Sequence, residues 1–184
     1  MPVDDPRTFL GFVTQFIWKL HHKIASIEPK LGELVSFRNI VKVIPENTAV
    51  DEACIEQIIR DSGYEIRYAP MAYVQNKGPA TVRDFLKQRR RIYTGHLHLR
   101  KNTKYQVSTM KPFRVLKLSL QDMERTWKGV TWTLGAIILE AYARFLGSYD
   151  FYIKKRNPYV WDIAASTKNL SLGDDRNTAT DSPV

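Results

Sequence analysis

Between Asp51 and Gly95 the chain sets a series of signals in one fixed order. Asp51-Glu52-Ala53-Cys54-Ile55-Glu56 opens a helix, and Gly63-Tyr64 ends it. Gly78-Pro79 then launches a second helix that carries Gln88-Arg89-Arg90-Arg91-Ile92. Cys54, Ile55, Ile58 and Ile59 recur at helical spacing from about Asp51 to Ser62, with Gly63 where a left-handed C-terminal residue belongs. Tyr64 to Ala69 alternates, Ile66 and Tyr68 against Glu65 and Arg67, which predicts a strand. Pro70 turns the chain into a second short strand, Met71 to Gln75. The following helix, about Ala80 to Leu99, has an expected buried face of Val82, Phe85, Leu86, Ile92 and Tyr93. Carboxylates on one helix and a guanidinium-plus-amide pair on the next must therefore be reconciled in one fold.

The flanks read more simply. Asp5-Pro6 predicts a helix start, and Phe9, Phe12, Val13, Phe16, Ile17, Leu20 and Ile24 give an amphipathic helix to about Ala25, with Pro29 beyond it. Gly32 to Arg38 predicts a loop leading into a short strand, and Ile40 to Ile44 a brief apolar element. Asn102 to Pro112 is a polar linker and a candidate boundary. Beyond it, Trp127, Trp132, Ile137, Ile138, Leu139, Tyr142 and Phe145 follow a helical pattern. The organisation expected is one domain over residues 1–100, an amphipathic helical region over 101–169 and a disordered tail over 170–184.

Charge placement narrows the partners. The net charge is +9, but Lys77 to Lys128 holds 14 Lys or Arg against Asp84, Asp122 and Glu124, a local +11, leaving the rest slightly acidic. Such a block suits an anionic partner: a diphosphate, anionic lipid headgroups or nucleic acid. A solvated basic face is the plainer reading. A hydrophobic fraction of 43% supports a real core. The single cysteine, Cys54, excludes a disulfide framework and any multi-cysteine metal site. Met-Pro-Val-Asp-Asp does not read as a signal peptide. The best candidate for a membrane span, Gly129 to Leu139, is uncharged for only 11 residues, short of the ~20 needed.

Several residues have the chemistry of a site. Asp51 and Glu52 suit a general base, since a carboxylate within hydrogen-bond reach of a hydroxyl is what deprotonation requires. The same residues also read as an ordinary helix cap favoured by the macrodipole. Gln88 and Arg91, three apart, share a helix face with Asp84 and Gly95, and a glycine there permits close approach. Arg91 offers a planar fork to phosphate or sugar hydroxyls. Arg83, Lys87 and Arg90 fall on a neighbouring face expected to be solvated or lipid-facing. His96 follows Arg91 at one further turn and either lines the same cleft or is a surface or core histidine. Neither His21-His22 nor His96-x-His98 has metal-ligand spacing. Cys54 reads as a small core residue. Aromatics and cations mix from Trp127 to Trp161, as in helices that lie in a bilayer interface or in a packed appendage.

Taken in order, the acidic pair, Gly63-Tyr64 and its strand, Ala69-Pro70, Gly78-Pro79 and Gln88-x-x-Arg91 resemble the acceptor-side half of a family 2 glycosyltransferase. The likeness covers roughly Pro29 to Leu99, and Gly32 to Arg38 resembles the family's strand leading to the acceptor. It implies an α/β fold, the C-terminal half of a GT-A-like domain with short strands between helices, followed by amphipathic helices suited to a membrane interface. It implies an inverting, nucleotide-sugar-dependent transfer of a hexosyl group to a lipid-linked or saccharide acceptor. Glu52 stands at the general-base position with Asp51 beside it. The pair runs Asp-Glu where the family usually has Glu-Asp, so either carboxylate can take the proton. Gln88, Arg91, Arg38 and His96 are the implied acceptor- and diphosphate-binding residues. Ile92 stands where the family has Trp, which removes a stacking platform.

The resemblance also implies Mg2+ or Mn2+ in the complete enzyme, yet no Asp-x-Asp motif or nucleotide-binding half has a match in this sequence. The chain is therefore expected to be inactive alone and to work with a chain supplying that half. Its expected place is cytoplasmic, peripheral to the inner face of the cell membrane, on an anionic surface. The alternatives are a basic nucleic-acid-binding module and a non-catalytic partner of a full-length transferase.

Overall fold

The computed structural model of the chain describes residues 2–72, 74–157 and 159. The expected tail over 170–184 lies outside them. Five helices form the described regular structure: α1 (Phe9–Ile27), α2 (Asp51–Asp61), α3 (Val82–Thr103), α4 (Pro112–Gln121) and α5 (Trp127–Tyr152). A 3-10 turn, Ser108–Met110, joins α3 to α4.

The α/β expectation is overturned. Among the described residues there is no sheet, only an isolated bridge between Pro2 and Asn76. The strands expected before Arg38, over Tyr64–Ala69 and, in its described residues, over Met71–Gln75 are irregular, as is Ile40–Ile44. Alternation specifies a strand only where another edge accepts its backbone hydrogen bonds. Here the alternation is met differently. Ile66 is 9% exposed and packs with Ile55 and Ile59 of α2 beside Leu31, Ile40 and Val41, while Glu65 and Arg67 face water. Ile40, Val41 and Ile66 thus touch α2 through side chains, and the described residues of these segments form no ladder with each other.

The helix ends follow local capping chemistry. Thr8, not Asp5, caps α1, its Oγ1 accepting the Gly11 N–H at 3.1 Å. Asp5 is held instead by the backbone and guanidinium of Arg7. Thr81 and Thr126 cap α3 and α5 in the same way. At the end of α2, Gly63 adopts φ +78°. Its N–H reaches Arg60 O, and the Tyr64 N–H reaches Ile59 O, the paired bonds of a Schellman turn.

Helix α5 lies along α3, and their contacts advance together, so the two run parallel. Phe85 packs with Ala136, Arg89 pairs with Glu140, Thr94 bonds Gly147 and His98 meets Phe151. The close approach depends on Gly147, where an added Cβ would lie 3.0 Å from Arg90 O. Arg90, expected in solvent, pairs with Asp150, which is 4% exposed. Val82, expected in the core, is 45% exposed, since α3 begins there and its buried side starts at Phe85.

Helix α1 crosses this pair, with Phe9 and Phe12 edge-on to Trp132 and Val13 against Phe85 and Ala136. The region read as a polar linker is packed. Val107 and Met110 are buried with Val50, Ala53, Cys54, Leu97 and Leu99, in the cluster that seats α2.

Candidate functional site

The seat of α2 is made by Gly95. A Cβ built on it would meet Val50 Cγ1 at 3.1 Å and Ala49 Cβ at 3.2 Å, so the missing side chain admits the residues just before α2. The close approach foreseen at this glycine is thus made by protein. Val50 occupies the cap position and has no polar side chain, leaving Asp51 and Glu52 as the first two residues of the helix. Arg91 lies one turn before Gly95. The carboxylates therefore start beside the guanidinium across a short gap.

A cavity of about 350 Å³ opens there between α1, α2, α3, α5 and the intervening loops. Glu52, Gln88, Arg91 and His96 all line it. Four of the six expected site residues are thus brought to one place. Asp51 is not part of the lining, but its charge, like that of Glu52, acts on Arg91. Burial lowers the Arg91 pKa from its ordinary value, and the fields of Glu52 and then Asp51 partly offset this. Arg38 sits exposed on the irregular 33–44 segment, away from the cavity lining.

Two loops close the cavity, and side chains hold them. Glu56, 2% exposed, accepts the Leu31 N–H at 3.0 Å and the Tyr105 hydroxyl at 2.5 Å. Arg60 donates to Pro29 O at 2.6 Å. On the other side, Asn76 donates to Glu33 at 2.8 Å, and the Gly78 N–H donates to Asp4 at 2.8 Å. Gly78 also lies against Thr14, where a Cβ would fall 2.3 Å from its Oγ1.

The sequence reading missed Lys30, Trp18, His21, Tyr93, Arg89, Glu140 and Arg144 as part of this wall. Burial depresses the Lys30 pKa against the pull of Glu56 and Glu52. Burial, with Lys30, Arg89 and Arg144 nearby, drives the His96 pKa down to about 3. Its imidazole is neutral, and its Nδ1 is sealed from solvent without a hydrogen-bond partner. Trp18 and Tyr93 add aromatic side chains to the lining. A periodicity could have flagged Trp18 and His21, which follow Thr14 and Ile17 on one side of α1. A loop lysine such as Lys30 carries no local signal.

A third feature lies behind this wall. Phe16, Leu20, Ile24, Val115 and Ile137 line an apolar recess of about 150 Å³ between α1, α4 and α5. Arg89, Glu140 and Arg144 border both spaces.

The cavity thus opposes the Glu52 carboxylate on α2 to cations from α3 and the Lys30 loop, with aromatic side chains and an unsatisfied imidazole in the lining. It can take a polar, hydroxyl-rich or phosphorylated ligand and place a hydroxyl beside Glu52. Among the described residues no group of three or more His, Cys, Asp or Glu is placed to hold a metal ion, so the divalent cation implied by the resemblance has no donor set there. No family profile, characterised protein or solved structure matches this chain.

Proposed function

We propose that this cavity is the acceptor site of an inverting sugar transfer from a nucleotide sugar, with Glu52 as general base. The observation that carries the reading is that Glu52, Gln88 and Arg91, from two separate helices, line one cavity. The reading rests on the site and not on the fold, because the α/β frame that the resemblance implied is absent.

In the proposed step the acceptor hydroxyl gives its proton to the Glu52 carboxylate. Its oxygen forms the new bond to the anomeric carbon while the bond from that carbon to the diphosphate breaks. The nucleoside diphosphate leaves with the electron pair. Gln88 and Arg91 hold the acceptor, Trp18 and Tyr93 cover a sugar face, and Asp51 supports the negative field beside Arg91.

The basic tract favours this reading over nucleic-acid binding. Arg89 and Arg90 are engaged by Glu140 and Asp150 inside the helix packing, and Arg91 lines the cavity. A nucleic-acid groove needs such cations presented outward.

The test is acceptor binding by the purified chain, titrated with a panel of oligosaccharides and polyprenyl phosphates. Arg91→Ala should weaken binding about tenfold or more, and Glu52→Gln should leave it nearly intact, since deprotonation is not needed to bind. Binding that survives Arg91→Ala unchanged would overturn the assignment.

A further inference from the structure

We infer that the outer face of α5, with the adjoining face of α4, is a docking surface for an anionic lipid bilayer. Leu134, Ile138, Tyr142, Phe145, Tyr149 and Tyr152 recur at spacings of three and four, and all are open to solvent. Ile138 is 68% and Phe145 65% exposed. Six such side chains, about half open, leave on the order of 600 Å² of largely apolar surface, at the upper limit of a typical monomer's largest patch. The stripe extends along a helix of 26 residues, about 39 Å long.

The apolar face continues onto α4. Phe113 is 86% exposed, with Leu116 and Leu120 beside it. Leu116 also borders the recess that Ile137 and Ala141 of α5 line, so the two faces adjoin along that edge.

Charge decides the occupant. The only acids on α5 are Glu140 and Asp150, and both are turned inward onto Arg89 and Arg90. Helix α4 contains no acid. Exposed cations accompany the two faces, Lys117 on α4, Arg125 and Lys128 around the start of α5 and Lys154, Lys155 and Arg156 just past its end, against one exposed acid between the helices, Glu124. Lys128 and Lys154 each lie over an aromatic ring, Trp132 and Tyr149. Tyrosines with cations at the edges are the chemistry of a headgroup layer. A second copy of the same face would set these cations against each other, whereas anionic headgroups neutralise them. No helix among the described residues is long and apolar enough to cross a membrane, so the contact is a surface one. Each Lys or Arg near an anionic surface strengthens binding about fivefold. This inference does not depend on what the cavity binds.

The experiment is co-sedimentation of the full chain with vesicles of phosphatidylcholine alone and of phosphatidylcholine with one-third phosphatidylglycerol. The chain should bind the anionic vesicles at least tenfold more tightly, with release at high salt. Ile138→Asp with Phe145→Asp should weaken that binding tenfold or more while circular dichroism stays unchanged, as both side chains face solvent. Lys154→Glu with Lys155→Glu should remove the preference for anionic vesicles. Equal binding to both vesicle types, or anionic binding unaffected by the Asp pair, would overturn the inference. A stable dimer in solution that the Asp pair dissociates would overturn it in favour of a second copy.

Discussion

Arg89 closes a two-point fork on Glu140, its Nε and Nη2 each 2.8 Å from a carboxylate oxygen, and Arg144 adds a third contact to the same acid. The cluster stands where α3 and α5 pack and forms the shared wall of the polar cavity and the apolar recess. Burial alone would raise the Glu140 pKa, but Arg89 and then Arg144 outweigh it and hold the group at about 2. Removing one partner from a buried pair strands the other charge. Glu140→Gln should therefore cost about 3 kcal/mol in urea denaturation. A cost below about 1 kcal/mol would show that the cluster is solvated like an ordinary surface pair.

His96 sets a second, pH-dependent effect. Its folded pKa is about 3 against an ordinary 6.5, so between these values the unfolded chain binds a proton that the folded chain does not. Stability contributed by the neutral imidazole is complete above 6.5 and declines as pH falls toward 3. Glu140 adds its own loss only below its ordinary value of 4.5, as pH falls toward about 2. Urea midpoints between about pH 7 and pH 5 should fall in the native chain and fall less in His96→Gln. Some slope should remain, because burial also depresses His21. Identical slopes in the two proteins would contradict a buried neutral His96.

Gly95 tests the architecture of the site directly. A methyl there falls 3.1 Å from Val50, tight enough that α2 must shift slightly. Gly95→Ala should change stability by no more than about 1 kcal/mol, since the better helix propensity offsets the crowding. Gly95→Val should cost about 1–3 kcal/mol and separate Glu52 from Arg91. The check is acceptor binding together with thermal unfolding: Gly95→Val should weaken both, and unaltered binding would detach the α2 seat from the site.

Chemistry at Glu52 is separable from binding. The purified chain alone should transfer no sugar from a nucleotide sugar. Combined with a polypeptide that supplies donor binding, it should lose about 10²–10⁴-fold in rate on Glu52→Gln, the usual worth of a general base. Asp51→Asn should cost less, since Asp51 does not line the cavity. Near-normal turnover by the Glu52→Gln protein would remove the base assignment.

What could be read from residue order was local. Apolar spacing found α1, α2 and α3 to within a few residues and the existence of α5, because three-and-four periodicity is a property of the helix itself, while α4 was not read. Gly63 marked the end of α2 because only its backbone conformation fits there easily. The strands failed for the opposite reason. The alternation of Tyr64–Ala69 is satisfied equally well by laying Ile66 on α2, and a ladder depends on a distant edge that no local pattern reports. The site divided along the same line. Gln88 and Arg91 were legible as one face of one helix and Glu52 as the start of another, while His96 read equally as a surface or core histidine. Arg38 was read on a strand that does not form, and it lies away from the others. Lys30 reaches the cavity only because Glu56 and Arg60 fasten its loop, a long-range fact. The fate of Arg89 and Arg90 was equally hidden, since Glu140 and Asp150 lie 51 and 60 residues further on.

The seating of α2 through its first turn, beside Gly95, has one further consequence. The positive wall is anchored in the interlocked trio α1, α3 and α5, whereas the negative wall rides on a short helix fastened at its first turn and by a few loop tethers. The distance between the two walls is then set by that first-turn seat and those tethers. A ligand bridging them would announce itself as slowed amide exchange in α2, with the trio unmoved.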